Sequence, residues 1–342
     1  MKQMRAAVLM RQGQPLELRE MPVPVPGPGE LLIELEACGI CHSDLHVRDG
    51  DAMASASLTL PLILGHEGVG RVVAGSADVT RYKTGDRLGL PWMHDTCCHC
   101  TSCLTGWESY CGQQRAHGYN VHGGFAQYAI VKEDFTVAIP ENISAIDAAP
   151  LLCAGVTAYG AIAQAELTPA KSCMVVGCGG LGQYAIQLAR HAGATVFAVD
   201  SSEEKLDIAR KLGADHVFLA QDSPGSRIRE LGGADACLNF APTAKPWCDM
   251  LQAVKPRGWI IAVAMVPDEV PLNMEWLTGT GVKITGSSVG TRQQLREVME
   301  IASRRGLSIP LETVSLSDVD ATLSRLAKGE IKGRAVVDFS LG

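Results

Sequence analysis

Residues 172–200, SCMVVGCGGLGQYAIQLARHAGATVFAVD, decide the predicted fold. They begin with a short apolar run, typical of a buried strand, that ends in a glycine-rich loop. Apolar side chains then return at helical spacing from Leu181 to Ala189, and residues 195–199 form a second apolar run that ends at Asp200. Strand, loop, helix and strand in this order predict a βαβ unit with parallel strands.

The loop of this unit fits the pattern G-x-G-x-x-G in the context that the pattern requires, between a strand and a helix. The first glycine allows a tight turn, the second lets a pyrophosphate approach the backbone, and the third lets the helix pack closely on the strand. The helix N-terminus also favours phosphate. We therefore predict a dinucleotide site that includes Gly177, Gly179, Gly180, Leu181 and Gly182.

The acidic residue that ends the second strand indicates which dinucleotide binds. Asp200 lies where a carboxylate accepts hydrogen bonds from the adenosine ribose. Ser201 and Ser202 follow it, so no adjacent arginine is present to neutralise a 2′-phosphate. The sequence therefore favours NAD over NADP. The alternative interpretation is a glycine-rich turn with a helix-capping aspartate and no cofactor.

The remainder of the chain divides into two parts. Further strand-like runs, separated by helical stretches, lie at residues 216–219, 236–239, 259–264 and 282–286. With the first two runs they predict a doubly wound parallel sheet of six strands. The chain before about residue 150 is β-rich, and its C-terminus has the pattern helix, helix, strand. We predict an α/β protein with a dinucleotide-binding domain over residues 154–287 and a β-rich domain over residues 1–153 and 288–342.

Composition and charge exclude several functional classes. The 342 residues are 46% hydrophobic and 20% charged, as in globular proteins of two domains and unlike disordered chains. A formal charge of −7 opposes binding to nucleic acid. No apolar run approaches the roughly 18 residues of a membrane span, and the N-terminus lacks the apolar core of a signal peptide. We expect a cytoplasmic protein with neither a membrane nor a nucleic acid as its partner.

Twelve cysteines are many for this length, and in the reducing cytoplasm clustered cysteines are more often metal ligands than disulfides. Cys97, Cys100, Cys103 and Cys111 are spaced C-x2-C-x2-C-x7-C, which predicts a closed tetrahedral zinc site. Since four protein ligands leave no position for a substrate, this zinc would be structural. The alternative is a group of free buried thiols.

A third set of candidate residues is dispersed along the chain. It comprises Cys41 with the residues that follow it, His66 with Glu67, and Cys153. A catalytic zinc takes three protein ligands and keeps one position for water or substrate. Cys41, His66 and Cys153 would supply two cysteines and one histidine, the shell for which alcohol dehydrogenase is the standard example. A lone histidine, by contrast, is more often an ordinary core or surface residue.

In these motifs and in their order, the chain resembles the zinc-dependent medium-chain alcohol dehydrogenases of the NAD-dependent, ethanol type. The resemblance is carried by GICHSDLH at 39–46, GHEGVG at 65–70, the four-cysteine lobe, LCAGVTAY at 152–159, and the glycine loop with Asp200. It implies a six-stranded Rossmann sheet and a β-rich, GroES-like catalytic domain that carries the zinc lobe.

The resemblance also implies roles for the residues near the catalytic zinc. Cys41, His66 and Cys153 would hold the metal, and Asp44 would orient His66 through its other ring nitrogen. Glu67 would lie beside the metal. The zinc would act as a Lewis acid on the alcohol oxygen, while hydride passes to the nicotinamide ring.

The family removes the alcohol's proton through a relay that ends at the surface. The proton passes from a hydroxyl, here Ser43, through the cofactor ribose to a histidine, here His46, whose side chain type titrates near neutrality. Trp92 matches a position in the substrate pocket, where a large ring favours small or slender primary alcohols. Plain core packing is the alternative role for Trp92.

Four further residues match cofactor contacts of the family. His42 matches a contact with the pyrophosphate, and Thr157 matches a contact on the nicotinamide side. Arg334 would reach a phosphate, and Lys205 would touch the adenosine ribose.

We therefore predict an enzyme with two zinc ions per chain that reversibly oxidises primary alcohols to aldehydes and transfers the hydride to NAD. The alternatives are related zinc dehydrogenases that act on secondary alcohols, polyols or aromatic aldehydes, and a non-catalytic zinc-binding module. Polyol enzymes commonly have Glu where Cys153 stands, cinnamyl-type reductases prefer NADP, which Asp200 opposes, and the module is opposed by Ser43 and His46. The family also implies a homo-oligomer, with a tetramer favoured over a dimer.

Overall fold

The computed structural model describes residues 2–51 and 58–341. The chain folds as two compact units, Met1–Val156 with Thr291–Gly342, and Thr157–Gly290. The junctions therefore fall at 156/157 and 290/291, whereas the division made from the sequence placed them at 153/154 and 287/288.

Short strands dominate the first unit. Before the junction its strands are β1 Gln3–Leu9, β2 Glu17–Pro22, β3 Glu30–Ile40, β4 Leu62–Ile63, β5 Gly68–Gly75, β6 Arg87–Leu90, β7 Met93–Asp95, β8 Arg115–Ala116 and β9 Tyr128–Lys132. Its helices there are α1 His42–Asp49, α2 Thr101–Leu104 and α3 Ala145–Ala148, with 3-10 turns at Glu108–Tyr110 and Ala149–Leu152.

The second unit alternates strands and helices. Helix α4, Ala154–Gln164, contains the junction. The strands are β10 Ser172–Val176, β11 Thr195–Asp200, β12 His216–Leu219, β13 Ala234–Asn239, β14 Val254–Ala262 and β15 Lys283–Gly286. The helices between them are α5 Gly180–His191, α6 Glu203–Lys211, α7 Pro224–Glu230, α8 Trp247–Ala253 and α9 Met274–Thr280.

These six strands form one parallel sheet in the order β12-β11-β10-β13-β14-β15. The order confirms the predicted doubly wound Rossmann sheet, and it reverses between β10 and β13, where such folds bind their ligands. Both faces of β10 are buried, which explains its continuous apolar sequence. Side chains such as Val176, Phe197 and Ile260 fill the core of this unit, and each contributes about 1.5–3 kcal/mol by leaving water.

The carboxyl-terminal segment returns to the first unit. It forms α10 Arg292–Arg305, β16 Leu311–Val314, α11 Val319–Ala327 and β17 Arg334–Asp338, with 3-10 turns at Leu316–Asp318 and Phe339–Leu341. The two helices and the last strand agree with the predicted pattern, whereas β16, a short and partly exposed strand, was missed. Strand β17 pairs antiparallel with β3 so that Ala335 lies opposite Ile40, which brings Arg334 to the level of Cys41.

Strand β3 is the centre of the first unit. It lies between β17 and β5 in a sheet of the order β16-β17-β3-β5-β6, and β9, the sixth strand of this sheet, also pairs with β3. Strands β2-β1-β4 form a second sheet, and β7 and β8 form a two-stranded ribbon. Gly70 on β5 lies opposite Leu35, and a Cβ there would come within 2.4 Å of the Glu34 carbonyl oxygen. Only glycine permits so close an approach of the two strands.

Within the described ranges, no single helix is both long and apolar enough to cross a membrane. The bent pair Ala145–Leu152 and Ala154–Gln164 meets that requirement by length and composition only.

Candidate metal and cofactor sites

Four potential metal ligands meet inside the first unit. One donor atom from each of Cys41, His66, Glu67 and Cys153 lies within 4.8 Å of the others, and all four residues are buried. Cys41 follows β3 at the start of α1, His66 and Glu67 lie between β4 and β5, and Cys153 follows the 3-10 turn that precedes α4. We call these four residues the buried cluster.

Asp44 holds the imidazole of His66 in a defined orientation. Its Oδ1 lies 3.2 Å from His66 Nδ1 and accepts a hydrogen bond from the Gly65 N–H at 3.0 Å, and its Oδ2 accepts one from the Cys41 N–H at 2.9 Å. A carboxylate on one ring nitrogen leaves the lone pair of the other for a metal. His66 Nε2 is buried and has no hydrogen-bond partner among the described residues. The ring therefore presents to the buried cluster a nitrogen whose lone pair can bind a metal.

The two sulfur atoms of the buried cluster are 3.9 Å apart. The hydrogen bond from Cys153 lowers the pKa of the Cys41 thiol well below its usual range, and the positive charge of Arg334 acts in the same direction. A thiolate is the form of cysteine that binds a metal. The structure therefore stabilises a metal-binding form of Cys41.

Arg334 lies against Glu67 rather than at the surface. Its guanidinium donates to Glu67 Oε1, and the two side chains are only 4% and 0% exposed. We expected Arg334 to reach a cofactor phosphate, and the neighbour that the structure gives it is Glu67. Burial raises the pKa of Glu67 to about 8, although the charge of Arg334 opposes the rise. Arg334 thus balances negative charge in a region from which water is excluded.

Gly39 is a residue of this site that sequence reasoning missed. A Cβ at Gly39 would lie 1.9 Å from Glu67 Oε2 and 2.9 Å from Glu67 Cβ, so a larger residue would displace Glu67. The signal in the sequence is a glycine inside a strand, which indicates a close approach at that position.

The four cysteines of the predicted zinc lobe also meet, in the loop that joins β7 to β8. The sulfur of Cys97 lies 3.9 Å from that of Cys103 and 3.6 Å from that of Cys111, and Cys100 and Cys103 are 3.6 Å apart. A tetrahedron with metal–sulfur bonds of about 2.3 Å has edges of about 3.8 Å. The spacing of the sulfurs therefore fits one tetrahedral zinc ion.

Backbone contacts prepare the lobe for a metal. N–H groups of His99 and Cys100 lower the pKa of Cys97 to about 6, and the Cys100 N–H lies 3.3 Å from the Cys97 sulfur. Cys98, between the ligands, is exposed and lies outside the cluster.

Glu108 connects the lobe to the rest of the first unit, because its Oε1 accepts hydrogen bonds from Arg292 N at 2.9 Å and from Arg292 Nε at 3.0 Å.

The predicted proton relay lies on α1. Ser43 Oγ is 3.7 Å from the Cys41 sulfur, so this hydroxyl borders the buried cluster. His46, three residues later on the same helical face, has a side chain that is 34% exposed, and its Nδ1 contacts the Asp51 carboxylate. One end of α1 therefore carries a hydroxyl beside the buried cluster, and the other carries an imidazole in contact with solvent. His42 is exposed at the start of this helix.

Trp92 packs against a residue of the buried cluster. Its ring meets that of His66 edge to face, with centroids 5.0 Å apart, and lies 6.0 Å from the ring of Tyr119. The indole N–H donates to Gln114 Oε1 at 2.9 Å. The side chain of Trp92 therefore borders the space beside His66, and it is only partly buried.

Behind Trp92 lies a buried imidazole. His117 is 1% exposed, its backbone N–H donates to the Trp92 carbonyl oxygen at 2.9 Å, and its ring is edge to face with that of His94 at 4.8 Å. Nδ1 and Nε2 of His117 lie 2.7 and 3.1 Å from the carbonyl oxygens of Pro91 and Ile130. Two carbonyl partners favour the imidazolium, but burial and the neighbouring His94 outweigh them and lower the pKa of His117 to about 3.

We expect His117 to make the folded protein less stable as the pH falls. Its pKa is about 3 in the folded state and near 6.5 in an unfolded chain, so between these values the unfolded chain binds more protons. Well below pH 6.5, this residue should lower the free energy of unfolding by up to about 1.4 kcal/mol per pH unit. Urea unfolding at about pH 7.5 and about pH 5 measures the effect. The variant His117→Gln should show a weaker pH dependence, and equal dependence in both proteins would contradict the assignment.

The glycine loop of the second unit follows β10 and opens α5. Gly177 has φ +88°, and a Cβ there would lie 2.8 Å from the Ala241 nitrogen. A Cβ at Gly182 would lie 1.9 Å from the Gly177 carbonyl oxygen, whereas one at Gly179 would meet nothing within 4 Å. The first and third glycines are therefore required by the fold, and the second leaves the open space that a pyrophosphate needs. Gly180 and Leu181 form the first turn of α5.

Asp200 ends β11 and contacts this loop directly. Its Oδ2 accepts from the Cys178 N–H at 2.7 Å, and its Oδ1 accepts from the Ser202 N–H at 3.0 Å. Each carboxylate oxygen can accept a further hydrogen bond from a ribose hydroxyl. Lys205 lies in the first turn of α6, close to the same turn, and Thr157 is 8% exposed on α4.

Comparison with known proteins identifies the family. The family model "Alcohol dehydrogenase GroES-like domain" matches residues 27–141, and "Zinc-binding dehydrogenase" matches residues 180–304. An alcohol dehydrogenase of Moraxella sp. (strain TAE123) is 37% identical over 340 residues, 99% of this chain and 100% of the relative. One of Rhizobium meliloti (strain 1021) is 40% identical over 339 residues, 98% of this chain and 99% of the relative. The crystal structure of the alcohol dehydrogenase from Aeropyrum pernix superposes with a TM-score of 0.89 at 31% identity, covering 98% of this chain and 99% of that one.

The two matched models and the fold define a zinc-binding dehydrogenase, an oxidoreductase with a GroES-like domain and a Rossmann sheet. The chain belongs to the zinc-dependent medium-chain alcohol dehydrogenase family. The resemblance to the zinc-dependent medium-chain alcohol dehydrogenases, the fold class and the oxidoreductase class predicted from the motifs are thereby confirmed.

Proposed function

We propose that this protein reversibly oxidises primary alcohols to aldehydes with NAD, at a zinc ion held by Cys41, His66 and Cys153. The observation that carries the proposal is the buried cluster, in which His66 Nε2 lacks a hydrogen-bond partner among the described residues and the pKa of Cys41 is lowered. Two sulfurs and one imidazole are a donor set that suits zinc. Zinc bound there supplies a Lewis acid that lowers the pKa of the substrate hydroxyl.

With Cys41, His66 and Cys153 as its protein ligands, the zinc would have one position left for water or substrate. Glu67 is the fourth residue of the buried cluster; Arg334 contacts its Oε1, and its Oε2 has no hydrogen-bond partner among the described residues. Three protein ligands with an open position distinguish a catalytic zinc from a structural one. Asp44 orients His66 and, through the Cys41 N–H, also fixes the start of α1.

We infer that the proton leaves along α1. Ser43 Oγ borders the buried cluster, so it would take the proton of the alcohol and pass on its own, and a ribose hydroxyl of bound NAD would be the next carrier. His46 receives it at the solvent, and the contact of its Nδ1 with Asp51 leaves Nε2 as the atom that exchanges with water. Ser43 and His46 lie three residues apart on one face of a single helix.

The cofactor is proposed to be NAD, bound at Gly177, Gly179, Gly180, Leu181 and Gly182, with Thr157 on the nicotinamide side. Asp200 supports this choice, because it lies at the end of β11, where its carboxylate would repel a 2′-phosphate. Lys205 is proposed to touch the adenosine ribose, and His42 the pyrophosphate.

Exchanging the charge of Asp200 should change the cofactor preference. In Asp200→Asn, we expect the ratio of kcat/KM with NADP to that with NAD to rise about tenfold, because the repulsion of the 2′-phosphate is removed. Asparagine keeps one acceptor for the Cys178 N–H, which Asp200→Gly would lose along with the contact to Ser202. Asp222→Asn, an exposed change of the same charge in the same unit, is the control and should leave the ratio unaltered. An unchanged ratio in Asp200→Asn would mean that Asp200 does not face the ribose.

We also propose a structural zinc at Cys97, Cys100, Cys103 and Cys111, so that each chain holds two zinc ions. Reduced thiols in both clusters fit the cytoplasm as the compartment.

A homo-tetramer is the proposed assembly, and the exposed Leu104, Trp107 and Tyr110 of the lobe are apolar surface that an interface could cover. Light scattering should then give four times the mass of one chain.

A substrate panel tests the proposed reaction. Ethanol and 1-propanol with NAD should give higher kcat/KM than a secondary alcohol, a polyol or an aromatic alcohol, because Trp92 narrows the space beside His66. The highest kcat/KM on one of the other classes would replace primary alcohols by that class. No NAD-linked turnover of any alcohol would contradict the proposal.

A further inference from the structure

We propose that Gln114 is a positioning residue that fixes the ring of Trp92, and with it the width of the substrate pocket, from the four-cysteine lobe. The inference goes beyond the proposed function and rests on it in one respect, namely that Trp92 borders the pocket for the alcohol. Gln114 belongs to neither group of potential metal ligands.

Gln114 is built into the turn that carries the last ligand of the lobe. Its backbone N–H donates to the Cys111 carbonyl oxygen at 3.0 Å. Its side-chain Nε2 donates to the Ser109 carbonyl oxygen at 3.0 Å and, at 3.5 Å, to that of Glu108. These acceptors belong to the 3-10 turn that directly precedes Cys111, so the position of the amide follows the conformation of the metal-binding loop.

The same amide holds Trp92 by its other end. The indole N–H donates to Gln114 Oε1 at 2.9 Å. An indole can only donate and a backbone carbonyl can only accept, so the chemistry allows one orientation of the amide, with oxygen toward Trp92 and nitrogen toward the lobe. Gln114 therefore links the indole of Trp92 to the 3-10 turn before Cys111, and a flipped amide would lose both hydrogen bonds.

The ring that Gln114 holds is the one that meets His66 edge to face at 5.0 Å. The backbone of Trp92 is fixed separately, since its carbonyl oxygen accepts from the His117 N–H at 2.9 Å. Losing the acceptor on Gln114 should therefore free the ring while the main chain stays in place. A ring that can turn away from its position lets bulkier alcohols approach His66.

The test uses Gln114→Leu, which has a similar volume and neither hydrogen bond, in the parent chain and in Trp92→Phe, which has no indole N–H. In the parent chain, we expect the ratio of kcat/KM for benzyl alcohol to that for ethanol to rise about fivefold, the effect of one net hydrogen bond. Tryptophan emission should shift as well. In the Trp92→Phe chain, the same change should alter neither the ratio nor the emission. Zinc content should be as in the parent throughout.

Two controls sharpen the comparison. Gln113→Leu changes the neighbouring, exposed glutamine and should leave ratio and emission unaltered. Gln114→Glu keeps the acceptor for the indole and should stay closer to the parent than Gln114→Leu. Should Gln114→Leu not fold, Gln114→Met replaces it in both chains.

No shift in the parent chain, or an equal shift in both chains, overturns the proposal. The emission arm needs no turnover, so it decides the role of Gln114 even if the parent oxidises no alcohol. A parent protein that oxidises no alcohol would instead overturn the proposed function.

Discussion

Cys41→Ser should abolish alcohol turnover while the protein stays folded. Cys41 supplies one sulfur of the buried cluster, and its thiol is the one whose pKa is lowered. Serine is a poor ligand for zinc because its hydroxyl stays protonated, so the metal should be lost from this site. We expect kcat/KM to fall at least about a thousandfold, since the Lewis acid contributes several kcal/mol. Zinc per chain should drop from two to one.

The matched control is Cys38→Ser. Cys38 is buried on β3, three residues before Cys41, and belongs to neither cluster. It should keep both zinc ions and most of the activity. Full activity of Cys41→Ser, or an equal loss in Cys38→Ser, would remove Cys41 from the proposed ligands.

The second large effect should come from Cys100→Ser, and it should be an effect on stability. A closed four-cysteine site contributes its binding energy to folding, and the loop between β7 and β8 has a 3-10 turn and one short helix as its regular structure. We expect a loss of more than about 4 kcal/mol in the free energy of unfolding and a melting temperature lower by on the order of 10 °C. The loss should extend beyond the lobe, because Glu108 ties it to Arg292, whose guanidinium stacks on Phe135 at 4.6 Å.

Cys98→Ser is the control for this variant. Cys98 is an exposed cysteine within the same loop and lies outside the cluster. The melting temperature and zinc content of Cys98→Ser should therefore match those of the parent. A Cys100→Ser protein that melts like the parent would show that the lobe needs no metal.

The parts of the molecule that could be predicted are those in which neighbours in space are neighbours in sequence. The glycine loop and Asp200 lie within one βαβ unit, and the register of β10 with β11 brings them together. The four sulfurs of the lobe also meet because their residues lie within one loop: Cys97, Cys100, Cys103 and Cys111.

Other contacts could not be predicted because they depend on distant segments. Arg334 meets Glu67 only because β17 pairs with β3. The sequence motif around Arg334 carries no sign of that pairing, and the predicted contact of Arg334 with a cofactor phosphate stays a prediction. Cys41, His66 and Cys153 were grouped through the resemblance, since no spacing connects them.

Gln114 shows a third limit. Its side chain matters through the direction of one amide between Trp92 and the turn before Cys111. A glutamine in a loop has no periodicity or motif that signals such a contact.

Anomalous scattering at the zinc absorption edge, from crystals of the parent protein, shows directly whether zinc occupies both proposed sites. We expect two peaks per chain, one enclosed by Cys97, Cys100, Cys103 and Cys111 and one between Cys41 Sγ, His66 Nε2 and Cys153 Sγ. No peak at the buried cluster, in crystals whose lobe carries zinc, would contradict this expectation.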